Sequence, residues 1–203
     1  MSSAASDLRI AHVVWGRCNP DSANGVDKSV YYLSMHQARS GAAVAVFSMT
    51  AKEPVPVPGV EVHGINPGWL SRARFRLPCG IGRLSRALMA WGPDIVHFHS
   101  LHIGPFIGAA RRLHRSGIPY VVSPHGALAP GRLEEVGWWV RAYLSFVESR
   151  YLRRASFIHA AGPLDATGAG SIGLANRLVA APNGIDLDDM PRTVDSGLLR
   201  REH

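Results

Sequence analysis

Residues that could do chemistry cluster at the ends of two short apolar runs in the middle of the sequence. They are His97, His99 and Ser100 at the end of the segment 93–100, and Ser123, His125 and Gly126 at the end of the segment 119–126. The run at 103–116 between them has helical character, so the pattern predicts a strand–helix–strand unit. Such a crossover is right-handed and leaves the two strands parallel, with both carboxyl ends on one edge. Ligands of open α/β sheets bind at that edge.

Two kinds of chemistry can be weighed for these side chains. A metal site is one, because His97 and His99 point to the same side of an extended strand, with His102 and His125 nearby in sequence. No cysteine or carboxylate cluster accompanies them, and we predict that no metal is bound. Nucleophilic catalysis by Ser123 and His125 is rejected, because the sequence has no Gly-x-Ser-x-Gly elbow and an i, i+2 spacing does not suit a relay.

The first predicted strand, at 8–15, leads into a polar loop at 16–25 and an amphipathic helix at 26–39. Asn24, Gly25 and Val26 stand where the helix begins, so backbone N–H groups there are free to meet an anion. The loop is not a dinucleotide fingerprint, since no G-x-G-x-x-G is present. An ordinary turn is the alternative reading of this Asn-Gly pair.

The remaining pattern alternates strands with helices. Further strands are predicted at 42–48, 60–65, 156–161 and 177–181, and further helices at 82–91, 134–154 and 163–172. Most aromatic residues of the long helix at 134–154 are assigned to the core. About seven strands in this alternation predict an α/β fold with a doubly wound, mostly parallel, Rossmann-like sheet. We predict one such domain over 8–186, a disordered N-terminus at 1–7, and a linker or ragged tail at 187–203.

Composition narrows the classes of partner. Of the 203 residues, 46% are hydrophobic and 18% charged, which suffices for a real core, and no apolar run reaches the length of a membrane helix. Cys18 and Cys79 give no disulfide framework, and the first residues lack a signal-peptide pattern, so we expect a cytoplasmic protein. The net charge of +7 comes mostly from arginine, which suits an anionic ligand or an anionic membrane surface. Charge alone is also compatible with nucleic acid, although no nucleic-acid partner is expected. A solvated arginine surface is the alternative.

One segment combines arginines with aromatic residues. Trp69, Arg72, Arg74 and Arg76 alternate with apolar side chains in it. This combination is typical of a segment that lies on a membrane face, so these four residues are candidate contacts to an anionic membrane surface. A solvated loop with its aromatic side chains folded inward is the alternative.

Five segments in order resemble a known family. They are residues 24–26 before the first helix, Gly41 with the second strand, residues 93–100, residues 119–126 and residues 181–186. Together they resemble the N-terminal, acceptor-side half of a retaining, nucleotide-sugar-dependent glycosyltransferase of the GT-B fold. More closely, the chain is similar to the subfamily 4-like N-terminal domain of bacterial enzymes that transfer mannose, glucose or galactose in cell-envelope and exopolysaccharide synthesis.

The resemblance implies an architecture and a set of site residues. Two Rossmann-like domains would face each other across a cleft, the first holding a glycan or lipid-linked acceptor and the second the nucleotide sugar. Gly25, with Asn24 and Val26 beside it, would approach the donor phosphates, and His125 would be the catalytic-site histidine near the donor sugar. The remaining expected cleft and acceptor-side residues are His99, Ser100, Gly126, Asn183 and Gly184. No metal and no cofactor are implied, because the nucleotide sugar is a substrate.

The sequence departs from the family at several points. The family commonly has Gly-Gly where this chain has Asn24-Gly25, and a Ser-x-x-Glu-like helix start where it has residues 162–165. The family's donor half also carries a pair of glutamates eight residues apart, and no such pair follows Asp186 here. The expectation is therefore half an enzyme, as a truncated gene product, a fragment or one subunit of a split protein. We expect it in the cytoplasm, with the inner face of the plasma membrane as a candidate peripheral location and a separate donor-binding domain as a candidate partner. The alternative is a non-catalytic remnant or split-subunit binding domain.

Overall fold

A single seven-stranded parallel sheet organises the molecule. The structure is a computed structural model that describes residues 8–68, 81–129, 144–184 and 186. The strands are β1 (Arg9–Val14), β2 (Ala43–Met49), β3 (Glu61–Ile65), β4 (Ile95–His99), β5 (Tyr120–Ser123), β6 (Phe157–Ala160) and β7 (Leu178–Ala180). Their order in the sheet is β3-β2-β1-β4-β5-β6-β7, and every neighbouring pair is parallel. The order reverses between β1 and β4, which makes this pair the switch point of a doubly wound sheet.

Helices cover both faces of the sheet. They are α1 (Gly25–Arg39), α2 (Ile81–Trp91), α3 (Gly104–Arg115), α4 (Ser149–Arg154) and α5 (Pro163–Ser171), with a π-helix at Leu144–Glu148 and a 3-10 turn at Ala175–Arg177. The predicted doubly wound, mostly parallel α/β fold is confirmed. The predicted element bounds lie close to the observed ones, except in the long predicted helix at 134–154.

The two faces of the sheet differ in polarity. Val13, Phe98 and Val122 point to one face, where they join α2, α3 and α4 in the main apolar core. A smaller apolar cluster with Val14, Val30 and other residues packs α1 against the opposite face. That second face also carries a row of histidines, described below. Each fully buried large apolar side chain contributes about 1.5–3 kcal/mol, so the main core supplies most of the stability of the fold.

Part of the expected long helix is described, and it differs from the expectation. Residues 144–154 form a π-helix that runs into α4, rather than one regular α-helix. Tyr151 is buried, in line with the expectation that most aromatic residues of this helix lie in the core, whereas Phe146 is 80% exposed. The π-helix widens the turn and so shifts the side chains that follow it relative to a regular 3.6-residue period.

Several predictions fall on residues that lie outside the described ranges. These are the N-terminus at 1–7, the tail at 187–203, and the candidate membrane contacts Trp69, Arg72, Arg74 and Arg76. Among the described residues, no helix is both long and apolar enough to cross a membrane.

Candidate active site

The carboxyl edge of the sheet holds an open cleft of about 580 Å³. Three pieces of the chain form it: the start of α1, the turn after β5, and the start of α5 with the segment after β7. Its lining residues are Asn24, Gly25, Val26, Ser29, His125, Gly126, Ala161, Gly162, Pro163, Leu164, Asp165 and Asn183. Because the first turns of α1 and α5 both line it, the positive ends of two helix dipoles meet there. The start of α1 is therefore suited to a negatively charged group. The α5 end already holds the carboxylate of Asp165.

The start of α1 forms one wall. Asn24 is the N-cap residue, and its Oδ1 accepts a hydrogen bond from the backbone N–H of Val26 at 3.1 Å. Gly25 is exposed, and within the described part of the chain no heavy atom comes within 4 Å of a Cβ built on it. Beneath this wall the buried carboxylate of Asp27 accepts from the backbone N–H of Cys18 at 3.2 Å, which ties the preceding loop to the helix. The backbone at Gly25 is thus both anchored and open to an approaching ligand.

The turn after β5 forms the opposite wall. His125 and Gly126 both adopt left-handed backbone conformations, with φ of +51° and +82°. This conformation is costly for a non-glycine residue such as His125 and persists only where the surroundings enforce it. Here the backbone N–H of Gly126 donates to both carboxylate oxygens of Asp165, each at 2.9 Å. A buried acid in the first turn of α5 thereby clamps the turn that presents His125.

A close helix contact holds the same wall from behind. A Cβ built on Gly168 of α5 would lie 1.8 Å from the carbonyl oxygen of Leu128 and 2.6 Å from its carbonyl carbon. Only glycine allows α5 to approach the 125–128 turn this closely. The wall is thus held both by the Asp165 carboxylate and by direct backbone packing.

A chain of histidines runs from the interior to this wall. Parallel pairing sets His12 of β1 opposite His97 of β4, and His99 follows on the same face. His12 Nε2 lies 2.6 Å from Gln37 Oε1 on α1, and His12 Nδ1 lies 2.9 Å from His99 Nε2. His99 Nδ1 in turn lies 3.1 Å from His125 Nε2. These contacts form a continuous hydrogen-bonded chain that begins at Gln37 and ends at the cleft.

A second chain runs beside the first. His97 Nε2 lies 2.7 Å from the hydroxyl oxygen of Ser123, which lies 2.7 Å from His159 Nδ1. His159 Nε2 lies 2.8 Å from the carbonyl oxygen of Ala181, just before the cleft residue Asn183. This chain ties β4, β5 and β6 to the segment that follows β7. Ser123 is thus engaged with two other histidines rather than with His125, in agreement with the rejection of a Ser123–His125 relay.

Burial sets the protonation state of the histidines. It lowers the pKa of His12 from 6.5 to about 4, although the hydrogen bond to Gln37 acts in the opposite direction. Burial also lowers the pKa of His125 to about 4, against the opposing charge of Asp165. The pKa values of His97 and His99 lie well below 6.5, through burial first and through the neighbouring histidines second. These four rings are therefore neutral at pH 7.

The same cluster has the geometry of a candidate metal centre. His12, His97 and His99 each bring a ring nitrogen within 4.8 Å of the others, and neutral imidazole is a common metal ligand. However, both ring nitrogens of His12 and of His99 already face hydrogen-bond partners at 2.6 to 3.1 Å. A metal ion would have to replace those hydrogen bonds, so hydrogen bonding explains the observed arrangement without one.

The structure brings together six of the residues that the sequence analysis assigned to the site. Asn24, Gly25, Val26, His125, Gly126 and Asn183 all line the cleft. His99 does not line it, because it is buried behind His125. Ser100 and Gly184 are also absent from the lining. The Ser100 backbone N–H instead donates to the Ser123 carbonyl at 2.8 Å, with a Ser100 φ of +95°.

Sequence reasoning missed several residues that shape the site. His12 and Gln37 were read as parts of an ordinary strand and helix, and residues 162–165 were read only as a departure from a motif. The available signal was a histidine within an otherwise apolar strand, since a buried titratable group needs a partner. Asp165 offers a similar signal, because an acid in the first turn of a helix is free to bind backbone N–H groups nearby.

Comparison with known proteins agrees with this geometry. A family model described as Glycosyltransferase Family 4 matches residues 23–189. The chain belongs to this glycosyltransferase family. The matched range includes the cleft residues from Asn24 to Asn183, so the resemblance seen in the sequence is confirmed. No curated protein sequence gives a significant match.

Solved structures show the fold of this family 4 chain in larger proteins. Sucrose-phosphate synthase from Thermosynechococcus elongatus aligns with a TM-score of 0.66 at 15% identity, over 89% of this chain and 49% of that one. A glycosyltransferase from Rickettsia africae ESF-5 aligns with a TM-score of 0.61 at 14% identity, over 96% of this chain and 48% of that one. MurG from Acinetobacter baumannii aligns with a TM-score of 0.54 at 16% identity, over 91% of this chain and 48% of that one. The chain thus spans about half the length of these structures and has the fold of an N-terminal GT-B half.

Proposed function

We propose that this chain is the acceptor-side half of a glycosyltransferase that moves a sugar from a nucleotide-sugar donor to a glycan or lipid-linked acceptor. The cell-envelope or exopolysaccharide role expected from the sequence is part of this proposal. The observation that carries it is the cleft, where the open backbone at Gly25 faces the clamped His125–Gly126 turn. The nucleotide sugar is a substrate here, and the proposed reaction uses no resident cofactor or metal.

The start of α1 is assigned to the donor phosphates. Leaving-group departure in a sugar transfer builds negative charge on the phosphate, so preorganised N–H groups and a helix dipole lower the barrier. Gly25 supports this role because no side chain stands between its backbone and the cleft. Asn24 holds the first turn in place by capping Val26, which reduces the reorganisation needed when the phosphate arrives.

His125 is assigned to the sugar. Its lowered pKa keeps the ring neutral at physiological pH, so it offers hydrogen bonds rather than a positive charge. A neutral ring that is hydrogen-bonded to His99 on one side is suited to orienting a sugar hydroxyl on the other. Orientation of this kind contributes to catalysis by holding the reacting groups in a near-attack geometry.

A second domain is assigned to the main grip on the nucleotide. The solved GT-B structures are about twice as long as the part that aligns here. The cleft is open, and its rim includes the exposed Leu164 at 62%. In this proposal a donor-binding domain closes over that side. The present chain then supplies the phosphate-facing helix start, His125 and the acceptor side.

The lipid-linked form of the acceptor is tied to the basic segment. Trp69, Arg72, Arg74 and Arg76 would hold the protein at an anionic bilayer, where each arginine contributes about 1 kcal/mol. Salt screens such contacts, so binding should weaken as ionic strength rises. Co-sedimentation with anionic and neutral vesicles tests this, using the wild type and a variant with all three arginines changed to serine. Equal binding to both lipids, or no loss in the variant, contradicts the membrane role.

Donor binding is the direct test of the proposed function. Isothermal titration of the chain with a panel of UDP-, GDP-, ADP- and dTDP-hexoses, carried to millimolar concentration, should identify at least one saturable ligand, bound weakly because the main grip on the nucleotide is assigned to the second domain. His125→Ala should weaken its binding by about tenfold, the loss expected for one good hydrogen bond. The matched control is His114→Ala on the exposed side of α3, which should bind like the wild type. Failure of the whole panel, or equal binding by His125→Ala, would favour a remnant that no longer handles donors.

A further inference from the structure

The direction of a hydrogen-bonded histidine chain is set at its ends. A neutral imidazole has one N–H donor and one lone-pair acceptor, so each ring in a chain must donate at one nitrogen and accept at the other. Fixing the role of the first nitrogen therefore fixes every tautomer that follows. The two chains in this molecule end on different groups, and the difference decides what each can do.

The chain through Ser123 has a fixed direction. It ends on the carbonyl oxygen of Ala181, which can only accept, so a neutral His159 carries its proton on Nε2. His159 Nδ1 then accepts from the Ser123 hydroxyl, and Ser123 accepts from His97 Nε2–H. No alternative tautomer satisfies the same contacts while His97 and His159 are neutral.

The chain through His99 ends instead on a side-chain amide. An amide can present either its oxygen or its nitrogen, and Gln37 is placed with Oε1 towards His12 Nε2 at 2.6 Å. In this orientation the proton of His12 lies on Nε2, and its Nδ1 accepts from His99 Nε2–H. His99 Nδ1 then accepts from His125 Nε2–H. Nδ1 of His125 is left as a lone pair on a residue that lines the cleft. An amide neither gains nor loses a proton here. The hydrogen bonds from Gln37 to His125 therefore have a fixed direction, but they do not transfer a proton to or from the cleft.

We propose that Gln37 and His12 are positioning residues that act through His99 to fix the proton of His125 on Nε2, so that Nδ1 accepts a hydrogen bond from a hydroxyl group of the ligand. Only the identity of that hydroxyl as part of a sugar rests on the proposed function. The fixed tautomer is a property of the ligand-free chain. The two claims can therefore fail separately.

Position and burial support an ordered chain. His12 and His99 are fully buried on adjacent strands at the switch point, so water does not compete for their nitrogens. Gln37 lies in the last turn of α1, two residues from the end that faces away from the cleft, and His125 lies at the cleft itself. A substitution at Gln37 is thus separated from the ligand by three histidine rings, and a direct contact with the ligand cannot explain its effect.

The test uses ¹⁵N shifts of the imidazole nitrogens in the ligand-free protein at pH 8, where His12, His99 and His125 are neutral. In the wild type, His12, His99 and His125 should each show a protonated Nε2 and an unprotonated Nδ1. Gln37→Glu, which can only accept, should keep this pattern. Gln37→Lys, which can only donate, should reverse it at all three rings, including His125. Gln37 is half-buried, so both side chains can be accommodated.

The second chain is the internal control. His97 and His159 should keep the protonated Nε2 pattern in every variant, because Ala181 fixes their direction. A protonated Nδ1 at His125 in the wild type overturns the proposal even if neither variant folds. An unchanged His125 pattern in folded Gln37→Lys also overturns it. So does a change in the wild-type shifts of His12 and His99 after treatment with EDTA, since this would show that the cluster holds a metal.

The ligand arm is measured separately. With the nucleotide sugar that binds best in the titration panel, Gln37→Lys should bind about tenfold more weakly, and Gln37→Glu should bind like the wild type. Equal binding by Gln37→Lys in the presence of a reversed tautomer would show that Nδ1 does not accept from the ligand. If the tautomers are as expected but the protein binds no nucleotide sugar, the positioning role of Gln37 and His12 stands and only the proposed function is contradicted.

Discussion

The two walls of the cleft stand on the same sheet edge but are held in opposite ways. The α1 wall is exposed backbone, with an N-cap at Asn24 and open space around Gly25. The wall opposite is a left-handed turn at His125–Gly126, clamped by Asp165 and pressed against Gly168. One wall offers a backbone for a ligand to approach, and the other fixes one side chain in place. The contrast is the basis for the proposed roles, a phosphate at the wall of N–H groups and a sugar at the wall that orients one side chain.

Acid should lower the free energy of unfolding more than Gly168→Ala or Gly25→Ala does. His12 and His125 have folded pKa values of about 4 against 6.5 when unfolded. Between these values the unfolded chain binds more protons, so the free energy of unfolding should be nearly constant from pH 6.5 to about 8 and fall as pH drops towards 4. Each ring accounts for up to about 3 kcal/mol, at 1.36 kcal/mol per pKa unit.

Urea unfolding at a series of pH values measures this loss. His97 and His99 act in the same direction, while the raised pKa of the buried Asp27 offsets part of the loss at the acid end of the range. The matched variants are His125→Ala, which should reduce the slope between pH 6.5 and 4, and His114→Ala, which should leave it unchanged. A flat curve over that range would contradict buried, neutral histidines.

Gly168→Ala should break the packing of the same wall. The new Cβ would meet the backbone of Leu128, which cannot rotate away as a side chain would. We expect a loss of about 1–3 kcal/mol, the range for overpacked sites, and a melting temperature lower by about 2–4 °C per kcal/mol.

Gly170→Ala is the control on the same helix. Gly170 is exposed, and among the described residues no heavy atom lies within 4 Å of a Cβ built there. Alanine should therefore stabilise the helix by up to about 1 kcal/mol. Equal melting temperatures for the two variants would show that α5 does not pack on the 125–128 turn as described.

Gly25→Ala should change the free energy of unfolding less than Gly168→Ala or Gly170→Ala, but it should weaken ligand binding. Since Gly25 begins α1 and its surroundings are open, alanine is accommodated and unfolding by urea should be nearly unchanged. The methyl group would stand in the cleft, so binding of the nucleotide sugar should weaken by about tenfold. Gly82→Ala, near the start of α2 and likewise exposed, is the matched control and should bind normally. Normal binding by Gly25→Ala would remove the phosphate role of this wall.

Local sequence patterns were enough to predict the fold and the exposed wall at the start of α1. Apolar runs and turn residues located the seven strands, and the Asn24–Gly25 helix start was visible because caps and glycines act over a few residues. The exposed Phe146 is an exception to the expected core aromatics of its helix, because a π-helix changes the local period. The predictions that hold and this exception all depend on contacts close in sequence.

The histidine wall depends on contacts far apart in sequence. His12 meets His99 across 87 positions, and Asp165 meets Gly126 across 39. The register of β1 against β4 and the close approach of α5 at Gly168 bring these groups together, and neither follows from residue type or local spacing. The sequence placed His99 at the right edge of the sheet, but only the register shows that it acts behind His125 rather than in the cleft.

The central claim is that both walls serve one ligand, and an amide titration tests it most directly. The ¹⁵N-labelled chain is titrated with the nucleotide sugar that binds best, and backbone amide shifts are followed. The account predicts that Gly25 and Val26 on one wall shift together with Gly126 and Asp165 on the other, with one common saturation constant, while His114 on α3 stays unchanged. Shifts confined to one wall, or different saturation constants for the two, would contradict it.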